Sequence, residues 1–105
     1  MSKPDLYDYL NKVRARIRRA GLDPAKLNIS NRTGKKYVYE LEDGKKVHFG
    51  SHGLKDYVMY LADKDPMAAQ HRKSYRARHG VLKAGNELAY QVKYSPAWFS
   101  WHILW

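Results

Sequence analysis

Residues 45–80 read KKVHFGSHGLKDYVMYLADKDPMAAQHRKSYRARHG, and the fold turns on how this stretch is parsed. It begins as the second arm of a β-hairpin, crosses a loop holding Gly50, His52 and Gly53, and ends in a basic helix bearing Tyr75, Arg76, Arg78 and His79. The first arm lies just upstream. In residues 35–50, KKYVYELEDGKKVHFG, two β-prone arms flank Glu42-Asp43-Gly44, and Asp-Gly supplies the turn chemistry. Side chains alternate across a strand, so Tyr37, Tyr39 and Leu41 share one face of the first arm, and Val47 and Phe49 one face of the second. A two-stranded ribbon is marginal alone, so helices or a third strand must cover it. Gly50 and Gly53 are expected to break the second arm, in conformations closed to residues with a β-carbon.

Downstream of the glycines, LKDYVMYLADKD is apolar enough for a core role but fits a short strand and a short helix equally well. Asp65-Pro66 reads as a cap and a first helical residue, opening a helix that ends at Gly80 with Met67, His71, Tyr75 and Leu82 as its buried stripe. Ala84-Gly85-Asn86 marks a second turn. The alternation of Leu88, Tyr90, Val92 and Tyr94 after it predicts a half-buried strand. Ser95-Pro96 caps a last helical turn in which Trp98, Trp101 and Trp105 recur at helical spacing. These tryptophans either fold back to close the core or stay outside as an assembly anchor.

Working the other way, residues 21–35 form a connector that packs on the core through Leu22, Leu27 and Ile29. Before them, residues 1–20 form a basic amphipathic helix, with Ser2 as cap and Pro4 in the first turn. Leu6, Tyr9, Leu10, Val13, Ile17 and Ala20 make its apolar stripe, and Gly21 fits the left-handed exit. Lys12, Arg14, Arg16, Arg18 and Arg19 populate its other face. The 105 residues suffice for one small domain around one core, to which 14 aromatic side chains (9 Tyr, 3 Trp, 2 Phe) contribute much of the bulk.

Charge bounds the function more than any motif does. Twenty basic residues against 10 acidic ones give a formal charge of +10, a field that draws nucleic acid, anionic membranes or acidic protein surfaces and also aids solubility. Cysteine is absent, which excludes disulfides and thiolate zinc sites. No apolar run approaches a membrane span or a signal core, so no membrane partner and no signal-peptide secretion are expected. His48, His52, Asp56, His71 and His79, spread over a hairpin and a helix, invite comparison with HNH-type nucleases. His48 and His52, however, straddle Gly50 in a loop, where helical i, i+4 geometry does not apply. Ser51 beside His52 makes no triad, and no phosphate-binding glycine loop is present. No catalytic residue, metal ligand or cofactor is assigned. Cations interleaved with aromatics are the better signal: beside the five of the N-terminal helix, Lys45, Lys46, Arg72, Lys73, Arg76 and Arg78 are placed to meet phosphates or an acidic partner. Tyr37, Tyr39 or Tyr75 are candidates to stack on exposed bases. Nothing assigns base readout, so little sequence specificity is expected.

Three motifs in one order carry a resemblance: His48-Phe49-Gly50 with Asp56-Tyr57, then Tyr75 with Arg78-His79, then Trp98 and Ser100 with Leu104-Trp105. Residues 35–105 thereby resemble a group of small basic proteins of unknown function from large DNA viruses and bacteriophages. Phe99, His102 and the inserted AGNELAYQVKY depart from that pattern, and residues 1–20 lie outside it. The resemblance implies a virion-associated or genome-associated role, in the particle or in the host-cell interior.

The resulting expectation is one α+β domain spanning residues 1–105: a central antiparallel hairpin or sheet, two basic helices and a Trp-rich C-terminal turn. The expected function is a non-enzymatic viral structural protein, a minor capsid or capsid-associated component. Its partners would be capsid proteins, further copies of itself, or the phosphate backbone of DNA or RNA. The alternatives are a sequence-independent nucleic-acid-binding accessory protein and an HNH-like nuclease.

Overall fold

A computed structural model describes residues 5–105; the expected cap Ser2 and the first-turn Pro4 lie outside the described residues. Helix α1 spans Tyr7–Arg19 and buries Leu10, Val13 and Ile17, while Ala20, expected in the same stripe, is exposed. The helix ends as its sequence predicts. Gly21 turns left-handed at φ 81°, its N–H donates to the Arg18 carbonyl, and the Leu22 N–H reaches back to that of Ile17, closing the last turn.

The connector holds more structure than its composition suggests. Asp23 accepts a hydrogen bond from the Ala25 amide to cap a single 3-10 turn, Pro24–Lys26, which leads into strand β1, Leu27–Ile29. Strands β2 (Lys35–Glu40) and β3 (Lys46–Ser51) form the expected hairpin, and β1 adds to its free edge to give an antiparallel sheet ordered β1-β2-β3. Pairing Leu27 with Tyr39, Ile29 with Tyr37, Tyr37 with Phe49 and Tyr39 with Val47 sets these side chains on one face. That face is covered by α1, by helix α4 (Pro96–Phe99) and by the π-helical turn Ser100–Leu104 that continues it. The closed core is therefore Val13, Ile17, Leu27, Tyr37, Phe49, Phe99 and Ile103, all without solvent exposure.

Gly50 does not break β3. It lies inside the strand at φ 82°, where an added β-carbon would sit 2.9 Å from Leu104 Cδ1 and 3.2 Å from Lys36 Cβ. The left-handed backbone disfavours any side chain there, and Leu104 and Lys36 would also have to shift to admit one. The ambiguous segment is helix α2, Tyr57–Ala62, because Asp56 accepts from the Met59 amide at 3.0 Å and so caps a helix rather than entering a strand.

Helix α3 runs Ala68–His79, two residues later than Asp65-Pro66 suggests, since Asp65 spends its side chain on the Met67 amide in a preceding turn. Tyr75 is buried and His71 half-buried, but Met67 and Leu82 stand 53% and 50% exposed, so the expected stripe covers only the middle of the helix. Gly80 ends α3 at φ −68°, not left-handed; an added β-carbon would fall 2.6 Å from the Arg76 carbonyl oxygen.

The expected strand through Leu88, Tyr90, Val92 and Tyr94 is the largest misreading. Only Lys83–Ala84 (β4) and Glu87–Leu88 (β5) pair across the Gly85-Asn86 turn, after which Ala89–Gln91 coil into a 3-10 turn and Tyr94 adopts φ 66°. Alternation there reflects rings gathered round the C-terminal segment, not a sheet. Ser95 does cap α4, accepting from the Trp98 amide. The widened turn that follows brings Phe99, Ile103 and Leu104 inward and leaves all three tryptophans half-buried at the edges. The fold is a single small α+β domain.

Candidate functional site

Helix α3 and the C-terminal segment meet in a layer of stacked rings. Tyr75 is sandwiched between His79, with ring centroids 4.0 Å apart, and Trp105, 4.2 Å away and within 2° of parallel. Tyr90 stacks on Trp101 at 4.0 Å, and the Arg76 guanidinium lies 4.9 Å over the same indole. A third pair, Tyr60 on His71 at 4.1 Å, links α2 to α3. His79 is further fixed because Nδ1 donates to the Tyr75 carbonyl at 3.1 Å, which commits that nitrogen to carrying a proton.

These rings line an open cleft of about 440 Å³ between the end of β3, α3 and the C-terminal turn. Lys35, Lys55 and Arg78 contribute positive charge to its lining, and Leu54 and Leu82 add exposed apolar surface. The acidic group of the lining, Asp56, is already engaged: its Oδ2 accepts from Lys36 Nζ at 2.8 Å, with both side chains buried, while its Oδ1 caps α2. Neither pair member was recognisable as such from spacing.

The structure divides the eleven predicted contact cations into two sets. Arg14, Arg16, Arg72 and Arg76 are half-buried and largely committed to the fold. Arg14 donates to the Leu27 carbonyl from Nε and Nη2, Arg16 Nε donates to the Ile103 carbonyl, and Arg72 Nε donates to the Trp105 carbonyl at 2.8 Å. Arg16 and Arg72 also approach the Tyr57 ring, at 6.0 and 5.1 Å. Burial, then repulsion from Arg72, lowers the pKa values of Arg16 and Arg76; His102 is lowered by burial and then by Arg76.

The second set, Lys12, Arg18, Arg19, Lys45, Lys46, Lys73 and Arg78, is exposed. Lys12 and Arg19 join Arg16 along a shallow cleft of about 260 Å³ against Val58, Leu61 and Ala62 of α2; Arg78 belongs to the larger cleft; Lys45 and Lys46 lie at the hairpin end and enter neither. Among the described residues, ion pairs engage Lys26, Lys36 and Lys55 and no arginine. The stacking candidates, unlike the cations, do not divide: all three are buried, and none is free to stack on a base. Tyr37 and Tyr39 are core residues, and burial followed by the Asp56 charge pushes the Tyr37 phenol far above its usual range. Tyr75 is buried with both ring faces covered.

The histidines do not converge. Ser30 Oγ lies 2.7 Å from His48 Nδ1; because Oγ already accepts from the Arg32 amide, its proton is free to donate to a neutral imidazole. Burial first, and then Arg32, Lys46 and Lys35, lower the His48 pKa, which favours that neutral form. Among the described residues no three His, Asp or Glu side chains are grouped to hold a metal ion, and no helix is long and apolar enough to cross a membrane.

A protein family described as a family of unknown function, DUF5754, matches residues 25–79, over half of the chain. The chain belongs to this family. No curated protein and no solved structure matches it. The DUF5754 segment begins just before β1 and ends with α3, so it supplies the sheet and one wall of the cleft, including Lys35, Tyr60, His71, Tyr75 and His79. The facing wall, Tyr90, Trp101 and Trp105, comes from residues beyond the match, as does the terminal tryptophan motif.

Proposed function

We propose that this DUF5754 protein is a non-enzymatic, sequence-independent nucleic-acid-binding component that operates where a viral genome meets its protein shell. The observation that carries the binding is the second set of cations: seven exposed basic side chains that the fold does not use, on a chain of formal charge +10. Such charges neutralise phosphates and release counterions, and their spread over α1, the hairpin end and α3 suits a flexible polyanion better than a small ligand. The viral setting is supported by the motif order from His48 to Trp105. With roughly five phosphate contacts, log affinity for a mixed-sequence duplex falls against log salt with a slope of about −4 to −5. Affinity that is flat between low and high salt, or strongly dependent on duplex sequence, overturns this reading.

A second reading, a capsid-associated assembly subunit, is favoured by Leu54, Met67, Val81 and Leu82, which are all at least half exposed around the ends of α3 and the loop after β3. The tryptophans favour it less, since their rings pack within the domain. Light scattering separates the two readings: a discrete oligomer that persists at high salt without nucleic acid selects assembly, and a monomer that gains mass only with duplex at low salt selects nucleic acid.

A further inference from the structure

We propose that the cleft between α3 and the C-terminal segment is a nucleotide site, taking one unpaired base against its stacked rings and the attached phosphate on Lys35 and Arg78. The proposal rests on the nucleic-acid reading above and sharpens it by naming where a base goes. Three observations lead to it. First, the two ring stacks are incomplete. Trp105 and His79 cover the two faces of Tyr75, and Tyr90 covers one face of Trp101, so the end members His79 and Tyr90 each keep one face outside these stacks, and both line the cleft. A planar ring entering there continues either stack, with the flat-on geometry that aromatic side chains offer a base.

Second, the site is braced. The Arg76 guanidinium lies 4.9 Å from the Trp101 ring centroid, and His79 Nδ1 donates to the Tyr75 carbonyl, so both stacks are held in place before any ligand arrives. Third, the charge selects the ligand class. Lys35 and Arg78 make no ion pair among the described residues, whereas the carboxylate of the lining is neutralised by Lys36 at 2.8 Å. A cationic ligand loses to repulsion, and an acidic peptide segment without an aromatic side chain lacks a flat surface to match the rings. A group with both a π face and a negative charge fits, and at about 440 Å³ the volume falls in the usual range for small-ligand sites, about 300–1,000 Å³. Such a nucleotide is offered either by a single strand or as a free monophosphate.

The test uses the full chain with three probes: a ten-residue thymidine strand, an abasic strand with the same phosphates, and thymidine monophosphate. Anisotropy gives affinity, and tryptophan fluorescence reports stacking in the layer built on Trp101 and Trp105. The thymidine strand is expected to bind about tenfold tighter than the abasic strand and to quench the fluorescence. Tyr90→Ala then brings its affinity down about tenfold; His79→Ala, at the end of the other stack, gives the same direction if Tyr90→Ala does not fold. Quenching by the monophosphate at similar concentration identifies a free-nucleotide site, and quenching by the strand alone a strand site. Equal affinity for thymidine and abasic strands, with no quenching by either base-bearing probe, overturns the nucleotide site while leaving phosphate binding intact. Failure of all three probes to bind at low salt overturns both.

Discussion

Under the sheet, Phe99 lies 5.0 Å from Phe49 and 5.2 Å from Tyr39 and has no exposed surface. Two residues further along the same segment, Trp101 is half-exposed, stacked on Tyr90 and with the Arg76 guanidinium 4.9 Å from its ring. Both regions are made mainly of aromatic side chains, yet one is closed by aliphatic neighbours such as Val13, Ile17 and Ile103, and the other is edged by cations and open to solvent. Aromatic content alone therefore says little about role. What separates a core ring from a binding ring is its company: hydrocarbon on all sides drives folding, while a guanidinium on one face and solvent beyond the next ring leaves stacking capacity for a partner.

The contrast breaks most visibly at Phe99. Phe99→Ala empties a fully enclosed site and is expected to cost about 4 kcal/mol, from lost transfer energy plus the cavity left behind. Tyr90→Ala, removing a half-buried ring at the cleft, costs about 1 kcal/mol or less, because solvent fills the space. Urea unfolding followed by circular dichroism measures both. Equal losses would mean that the cleft wall is as much a part of the core as the sheet face is.

The buried pair Lys36–Asp56 joins the two regions, tying β2 to the start of α2 at the cleft floor. Lys36→Met leaves an uncompensated carboxylate in a site only 2% exposed and is expected to cost about 3 kcal/mol. Adding Asp56→Asn removes that charge yet keeps an oxygen to cap α2, so the double variant recovers most of the loss. The sign is what matters: if Lys36→Met alone is neutral in the urea midpoint, the pair does not hold the cleft floor, and the ring layer must be positioned by α3 alone.

These differences follow from what a one-dimensional pattern carries. The hairpin was legible because its two signals, Asp43-Gly44 and the alternation from Tyr37 to Phe49, are local and agree with each other. β1 was not, since three residues in a polar connector become a strand only when β2 offers an edge. The segment from Leu88 to Tyr94 shows the opposite failure: its alternation is real, but Gln91, Lys93 and the rings around them find partners in a coil, and among the described residues no strand lies alongside residues 89–94 to pair with. Asp56 could have been recognised as a helix cap, which would also have settled α2. The cleft was not legible at all, because Tyr60, Tyr75, Tyr90 and Trp105 converge from four separate elements or turns, and only the packing of α3 against the C-terminal segment brings them together. Among the cations, sequence places charge on α1 and α3 but cannot say which guanidinium finds a carbonyl within the fold.

Loss of a single cation is expected to change stability less than loss of Phe99 or Lys36. Arg16 and Arg18 are neighbours on α1, yet Arg16 reaches the Ile103 carbonyl and Arg18 is exposed. Arg16→Gln is expected to cost about 1–2 kcal/mol, since a charged donor leaves a carbonyl of the C-terminal turn without its partner. Arg18→Gln and Lys46→Gln each shift stability by no more than about 0.5 kcal/mol, as exposed substitutions away from caps and cores do. Their effect belongs to binding instead: each, if it meets a phosphate, reduces the magnitude of the salt slope for duplex by about 0.9, and the two together by about 1.8, because separate contacts release separate counterions. An unchanged slope in the double variant would take Arg18 and Lys46 out of the contact set, leaving Lys12, Arg19, Lys45, Lys73 and Arg78 as the exposed cations that nucleic acid meets.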